Sequence, residues 1–183
     1  MSLWLVRHAK PLVAPGTCYG MLDMEADPAA TLSAAQALAE ALPPHAVVLS
    51  SPLQRCRQLA NSLQELRPDL PLSVEPLLRE MDFGTWEGVA WDAIPRAAVD
   101  AWTADFASHR FGGKESACEV LARVAQAWDQ AAALQAAQGR DVVWISHAGV
   151  AQATTLIAAG KRLIARSEDW PLLSLTYGTW LTF

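Results

Sequence analysis

Apolar residues along this chain fall into two patterns, short unbroken runs and longer stripes spaced three and four apart, and the two alternate. Leu3 to Val6, Ala46 to Ser50 and Asp141 to Ser146 are runs with little polar alternation, which suits strands buried on both faces of a parallel sheet. Leu70 to Leu78 holds another strand around Ser73, Val74 and Glu75, and Leu173 to Phe183 closes the chain as a strand or hairpin. Helical stripes lie between these runs. Ala35, Leu38, Ala39 and Leu42 follow a Ser33/Gln36 capping-box pattern, and Leu121, Val124, Ala125, Trp128 and Ala132 follow Ser116/Glu119. Cys56, Leu59, Ala60 and Leu63 follow Ser51-Pro52-Leu53-Gln54, read as a serine cap with proline at the first helical position. A further helix is expected from about Val150 to Ala159, and residues 89 to 111 are partly helical around their aromatic side chains. Pro11 to Pro28 and Arg79 to Gly88 show no period and read as loops. Alternating strand and helix predict an α/β fold: a three-layer α/β/α sandwich with a mostly parallel central sheet, one domain over residues 1–183.

Composition agrees with a packed core, because 52% of residues are hydrophobic and 18% charged. A formal net charge of −5 argues against general affinity for nucleic acid or anionic membranes, yet it leaves room for a small basic pocket. No stretch reaches membrane-spanning length and no basic, apolar leader opens the chain, so a cytoplasmic protein is expected. Cys18, Cys56 and Cys118 are odd in number and widely spaced, which fits neither a disulfide framework nor a zinc pattern.

The candidate chemistry stands where strands end. In parallel α/β sheets the carboxyl ends of the strands share the edge at which ligands bind. Arg7-His8, Ser50-Ser51 with Arg55, Glu80 and His147 all follow strands at that edge. Two histidines, two arginines and one acid facing one point suit a phosphate group. The arginines, with backbone amides at the Ser51-Pro52 helix start, would hold the oxygens. One imidazole would attack phosphorus while the other donates a hydrogen bond. An acid kept protonated by burial or by the anion beside it would give its proton to the departing alkoxide, and Glu80 is the candidate.

Four motifs in order then resemble a known family. The RHA of Arg7 to Ala9, SPLQR of Ser51 to Arg55, REMDFGTWEG of Arg79 to Gly88 and SHAG of Ser146 to Gly149 look like the histidine phosphatase superfamily, also called phosphoglycerate mutase-like. Gly112-Gly113 with Glu115-Ser116 looks like its GGES element. The resemblance covers nearly the whole chain. It implies that His8 is the nucleophile that becomes phosphohistidine, that Arg7, Arg55 and His147 form the phosphate pocket, and that Glu80 is the proton donor. It implies no metal and no organic cofactor, and as partner a small phosphomonoester. Tyr19-Gly20 with Asp23, the FGTWEG loop and the compact length look most like the α-ribazole phosphatase branch of cobalamin assembly; Trp91, Trp102 or Phe106 either stack on a flat base or pack as a helical lid, and packing is the favoured reading.

Departures from the family pattern are Ala9 in place of glycine, Lys10 where an acid often follows, and Lys114 inserted in the GGES-like element. Hydrolysis is favoured over mutase-type phosphoryl transfer because the chain is short. Two other readings compete: a divalent-metal hydrolase with His8, His147, Asp82 and Glu80 as ligands, and a non-catalytic phosphate-ligand module. Two arginines beside the same point oppose the first.

Overall fold

The structure is a computed structural model and describes residues 2–183. Its centre is a five-stranded sheet made of β1 (Leu3–Arg7), β2 (Val47–Ser50), β3 (Leu72–Val74), β4 (Val142–Ser146) and β5 (Trp180–Thr182), in the order β3-β2-β4-β1-β5. The first four strands are mutually parallel, and β5 pairs antiparallel with the edge of β1. The sheet is therefore mostly parallel, as the apolar runs predict, and the tail supplies a single strand instead of a hairpin.

The alternating direction of strand side chains divides these runs between two cores. Leu3, Leu5, Val142 and Trp144 pack against α4 (Ala117–Gln138) and α5 (Ala148–Ala158). Val6, Val48, Val143 and Ile145 pack against α1 (Pro28–Ala41) and α2 (Gln54–Leu66) on the other face. Helices on both faces make the third layer and bury the sheet. A smaller aromatic cluster around Phe111, Ile94 and Cys18 joins the loops over the sheet edge, next to α3 (Arg96–Ala104). Among the described residues, no helix is long and apolar enough to cross a membrane.

Two helix starts differ from the pattern read in the sequence. Helix α1 begins at Pro28, with the Asp27 carboxylate accepting from the Ala30 amide at 2.8 Å, so Ser33 lies inside the helix. Both Asp27-Pro28 and Ser33/Gln36 are start signals, and the chain uses the earlier one. Helix α2 begins at Gln54 with Leu53 at its cap, and the Ser51 hydroxyl, which accepts from the Leu53 amide at 3.4 Å, makes its closer contact to His147 at 2.8 Å. Ser116 behaves as read: its hydroxyl accepts from the Glu119 amide, and the Glu119 carboxylate accepts from the Ser116 amide.

Candidate active site

Strand register brings the two histidines together. Arg7 pairs with Ser146 across the parallel β1/β4 ladder, so the next residues, His8 and His147, leave the sheet side by side. Their ring centroids are 5.2 Å apart, and both rings are buried. Nδ1 of His8 is 2.6 Å from the Ala9 carbonyl oxygen. A carbonyl only accepts, so Nδ1 carries the proton and Nε2 keeps its lone pair. Into that lone pair points the Nε–H of Arg55, at 3.3 Å.

Arg55 is fully buried on α2, and its other two nitrogens are held by the loop after β1. The NH1 group donates to the Leu22 carbonyl at 2.9 Å and NH2 to the Gly20 carbonyl at 2.6 Å. That loop is fixed in turn by one carboxylate. Glu87 accepts from the amides of Gly20, Met21, Leu22 and Phe83, each at 2.9 Å. Only a residue without Cβ fits at position 20, because a Cβ there would stand 1.8 Å from the Met81 carbonyl oxygen.

Arg7 is half-buried beneath Tyr177, its guanidinium carbon 4.0 Å from the ring centre. It donates to the Leu175 carbonyl at 2.6 Å, while its buried Nε has no partner within the protein. Cationic guanidiniums beside the imidazoles, added to burial, hold both histidines neutral. Burial first, then Arg55, pulls His8 down to about 3, and the same causes put His147 well below its ordinary value. His147 is oriented by Ser51, whose Oγ lies 2.8 Å from Nε2. The adjacent Cys56 thiol is pushed up to about 12 by burial, which leaves it an unreactive packing group.

Glu80 follows β3 and closes the site from the other side. Its Oε1 accepts from the Met81 amide at 3.0 Å, and its Oε2 from the Gly149 amide in the first turn of α5 at 3.1 Å. Gly149 permits that approach, since a Cβ there would stand 2.4 Å from Oε1. A buried ion pair braces the segment: Arg123 binds Glu115 through two nitrogens, at 2.7 and 3.1 Å, and its NH1 donates to the Leu77 and Arg79 carbonyls. The Asp82 amide donates to the same Glu115 carboxylate.

The five residues named from the sequence, Arg7, His8, Arg55, Glu80 and His147, thus surround one edge of the sheet. The expected contribution of the helix start at Ser51-Pro52 is corrected. Asp23 takes the Gln54 amide at 2.7 Å and Leu53 takes those of Cys56 and Arg57, so these amides are spent within the protein. Asp82, a ligand in the metal reading, accepts from the Gly84 amide. Among the described residues, no group of three or more His, Cys, Asp or Glu is arranged to hold a metal ion. The Nε2 lone pair that a metal would need on His8 already faces a guanidinium. Glu87, Glu115 and Arg123 were not legible as site residues, and Ser51 was read for its backbone and not for its hydroxyl, because each acts through a contact distant in sequence.

A cavity of about 310 Å³ opens beside Glu80 and Gly149, walled by Met81, Phe83, Trp102, Phe106 and Trp170. Trp102 and Phe106 therefore do border the site, whereas Trp91 stacks on Phe111 at 5.9 Å, outside this cavity.

Comparison with known proteins points the same way. The family model for the histidine phosphatase superfamily (branch 1) matches residues 3–179. A glucosyl-3-phosphoglycerate phosphatase of Mycolicibacterium vanbaalenii is 30% identical over 186 aligned positions, spanning 93% of this chain and 78% of its own. The native structure of a mycobacterial glucosyl-3-phosphoglycerate phosphatase superposes with a TM-score of 0.82 at 25% identity, covering 99% of this chain and 88% of the other. The α-ribazole phosphatase of Shigella flexneri gives 0.80 at 25% identity, with coverage of 100% and 89%.

Proposed function

Because this chain belongs to the histidine phosphatase superfamily and is a phosphatase of that kind, we propose that it hydrolyses phosphomonoesters through a covalent phosphohistidine on His8. The observation that carries the reading is the state of the His8 ring. Its proton sits on Nδ1, its Nε2 keeps an unprotonated lone pair that meets only the Arg55 Nε–H at 3.3 Å, and two guanidiniums lie beside it. A neutral imidazole beside fixed cations is a nucleophile waiting for an anion.

In the first displacement Nε2 of His8 bonds to phosphorus as the bond from phosphorus to the ester oxygen breaks. Glu80 passes a proton to that oxygen, so the product leaves as a neutral alcohol. Arg7 and Arg55 neutralise the non-bridging oxygens, and His147, held by Ser51, lines the same pocket. In the second displacement water attacks phosphorus, Glu80 takes its proton, the nitrogen–phosphorus bond breaks and inorganic phosphate departs.

No metal or organic cofactor enters this scheme. The whole chain acts as one domain, and its partner is a small phosphorylated metabolite. α-Ribazole 5′-phosphate is the first candidate, supported by the fold shared with α-ribazole phosphatases and by aromatic walls next to Glu80. Hydrolysis of a generic aryl phosphate by the wild type and by His8→Ala tests the reading. Loss of turnover in the variant supports it, and equal rates, as expected of a non-catalytic phosphate-binding module, contradict it.

A further inference from the structure

The cavity beside Glu80 adjoins the group that, in the phosphatase reading, protonates the departing alcohol. Its walls are Met81, Phe83, Trp102, Phe106, Val120 and Trp170, with Gln152 the one neutral polar side chain among them. Among the described residues, no lysine, arginine or histidine lines it. The cations of the site are held elsewhere: Arg55 donates to the Gly20 and Leu22 carbonyls, Arg7 to that of Leu175 with its Nε left for the phosphate, and Arg123 is paired with Glu115.

The aromatic walls are held by one another rather than by a ligand. Trp102 stacks on Phe111 with centroids 4.5 Å apart, Phe83 meets Trp102 edge-on, and Phe106 meets Trp170 edge-on. Such a surface is preformed and apolar, and about 310 Å³ lies at the lower end of the roughly 300–1,000 Å³ of small-molecule sites. The Nε2 of Gln152 is occupied by the Pro171 carbonyl at 2.8 Å.

We infer that this cavity selects phosphate esters of uncharged, apolar or aromatic alcohols and rejects those whose alcohol carries a carboxylate. Resting on the phosphatase reading, this assigns the leaving-group class. A carboxylate placed there loses its water and finds no cation, a penalty that a neutral ring does not meet. Burial of a ring against Trp102 and Phe106 adds affinity of its own. Gln152 sits at the cavity wall and also borders the groove beside Arg7, which makes it the position at which a cation would change the preference.

The test compares 2-phenylethyl phosphate with 3-phosphoglycerate, both esters of primary alcohols, so leaving-group reactivity is matched. The wild type is expected to favour the former in kcat/KM by about 100-fold or more, given an unpaired buried charge in the latter. Gln152→Arg is expected to shrink that ratio at least about tenfold, as one charge partner is restored. Binding of both esters to His8→Ala, measured by calorimetry, needs no turnover and should show the same order. A wild type that fails to hydrolyse either ester would overturn the phosphatase reading. Equal affinities of His8→Ala for the two esters, or a wild-type preference for 3-phosphoglycerate, would overturn the assignment made here.

Discussion

The Nε–H of Arg55 faces Nε2 of His8 at 3.3 Å, with the remaining two nitrogens of the guanidinium bound to backbone carbonyls. This geometry fixes the guanidinium plane and leaves one donor directed at the nucleophile. Arg55→Ala should weaken inhibition by inorganic phosphate by about 10–100-fold, the worth of a charge-assisted hydrogen bond. Arg55→Lys should not restore it, because an ammonium cannot hold two carbonyls and aim a third donor in one plane. Unchanged phosphate inhibition in Arg55→Ala would remove Arg55 from the pocket.

Glu87 reaches the same guanidinium indirectly. Its carboxylate binds four amides and so shapes the loop whose carbonyls hold Arg55. In Glu87→Gln one oxygen becomes an NH2 group and faces donors, costing about 1–3 kcal/mol in stability. Urea denaturation should show that loss, and the phosphate inhibition constant should rise with it. A stability loss with phosphate inhibition intact would mean that the loop does not set the Arg55 position.

Glu80 is bound by the Met81 and Gly149 amides on the side of the site away from Arg55. Glu80→Gln preserves shape but cannot transfer a proton. Turnover should fall by about 10²–10⁴-fold, the usual contribution of general acid catalysis, with phosphate inhibition changed far less. Comparable losses in both would contradict a proton-transfer role.

Acid should weaken the fold through the buried histidines. His8 titrates near 3 in the folded protein and near 6.5 when unfolded, so between those values the unfolded chain binds more protons. Stability is complete above about pH 6.5 and falls as pH drops toward 3, with a limiting slope of about 1.4 kcal/mol per pH unit for His8 and a contribution of the same sign from His147. The melting temperature of wild type should therefore decline more steeply between pH 6.5 and 4 than that of His8→Gln. Identical slopes would show that His8 is not held neutral.

Much of this site could be read from the sequence because its residues stand at strand ends. Apolar runs at Leu3–Val6 and Val142–Ile145 mark adjacent strands, and the residue types just beyond them declare their chemistry. Helix starts were less legible where two local signals competed, as at Asp27-Pro28 and Ser33/Gln36. Ser51 has the sequence of a cap and the position of a His147 partner, a choice made by tertiary packing. Glu87 accepts amides from 65 to 67 residues away as well as from Phe83, and no local periodicity encodes that arrangement.

The central claim is covalent bonding of phosphorus to His8, and rapid quenching tests it most directly. Wild-type protein mixed with a phosphomonoester, stopped in alkali to preserve phosphohistidine and analysed by peptide mass spectrometry, should carry one phosphoryl group on the peptide containing His8. The label should be absent in His8→Ala. Phosphoryl transfer to another residue, or turnover by His8→Ala at the wild-type rate, would contradict the account.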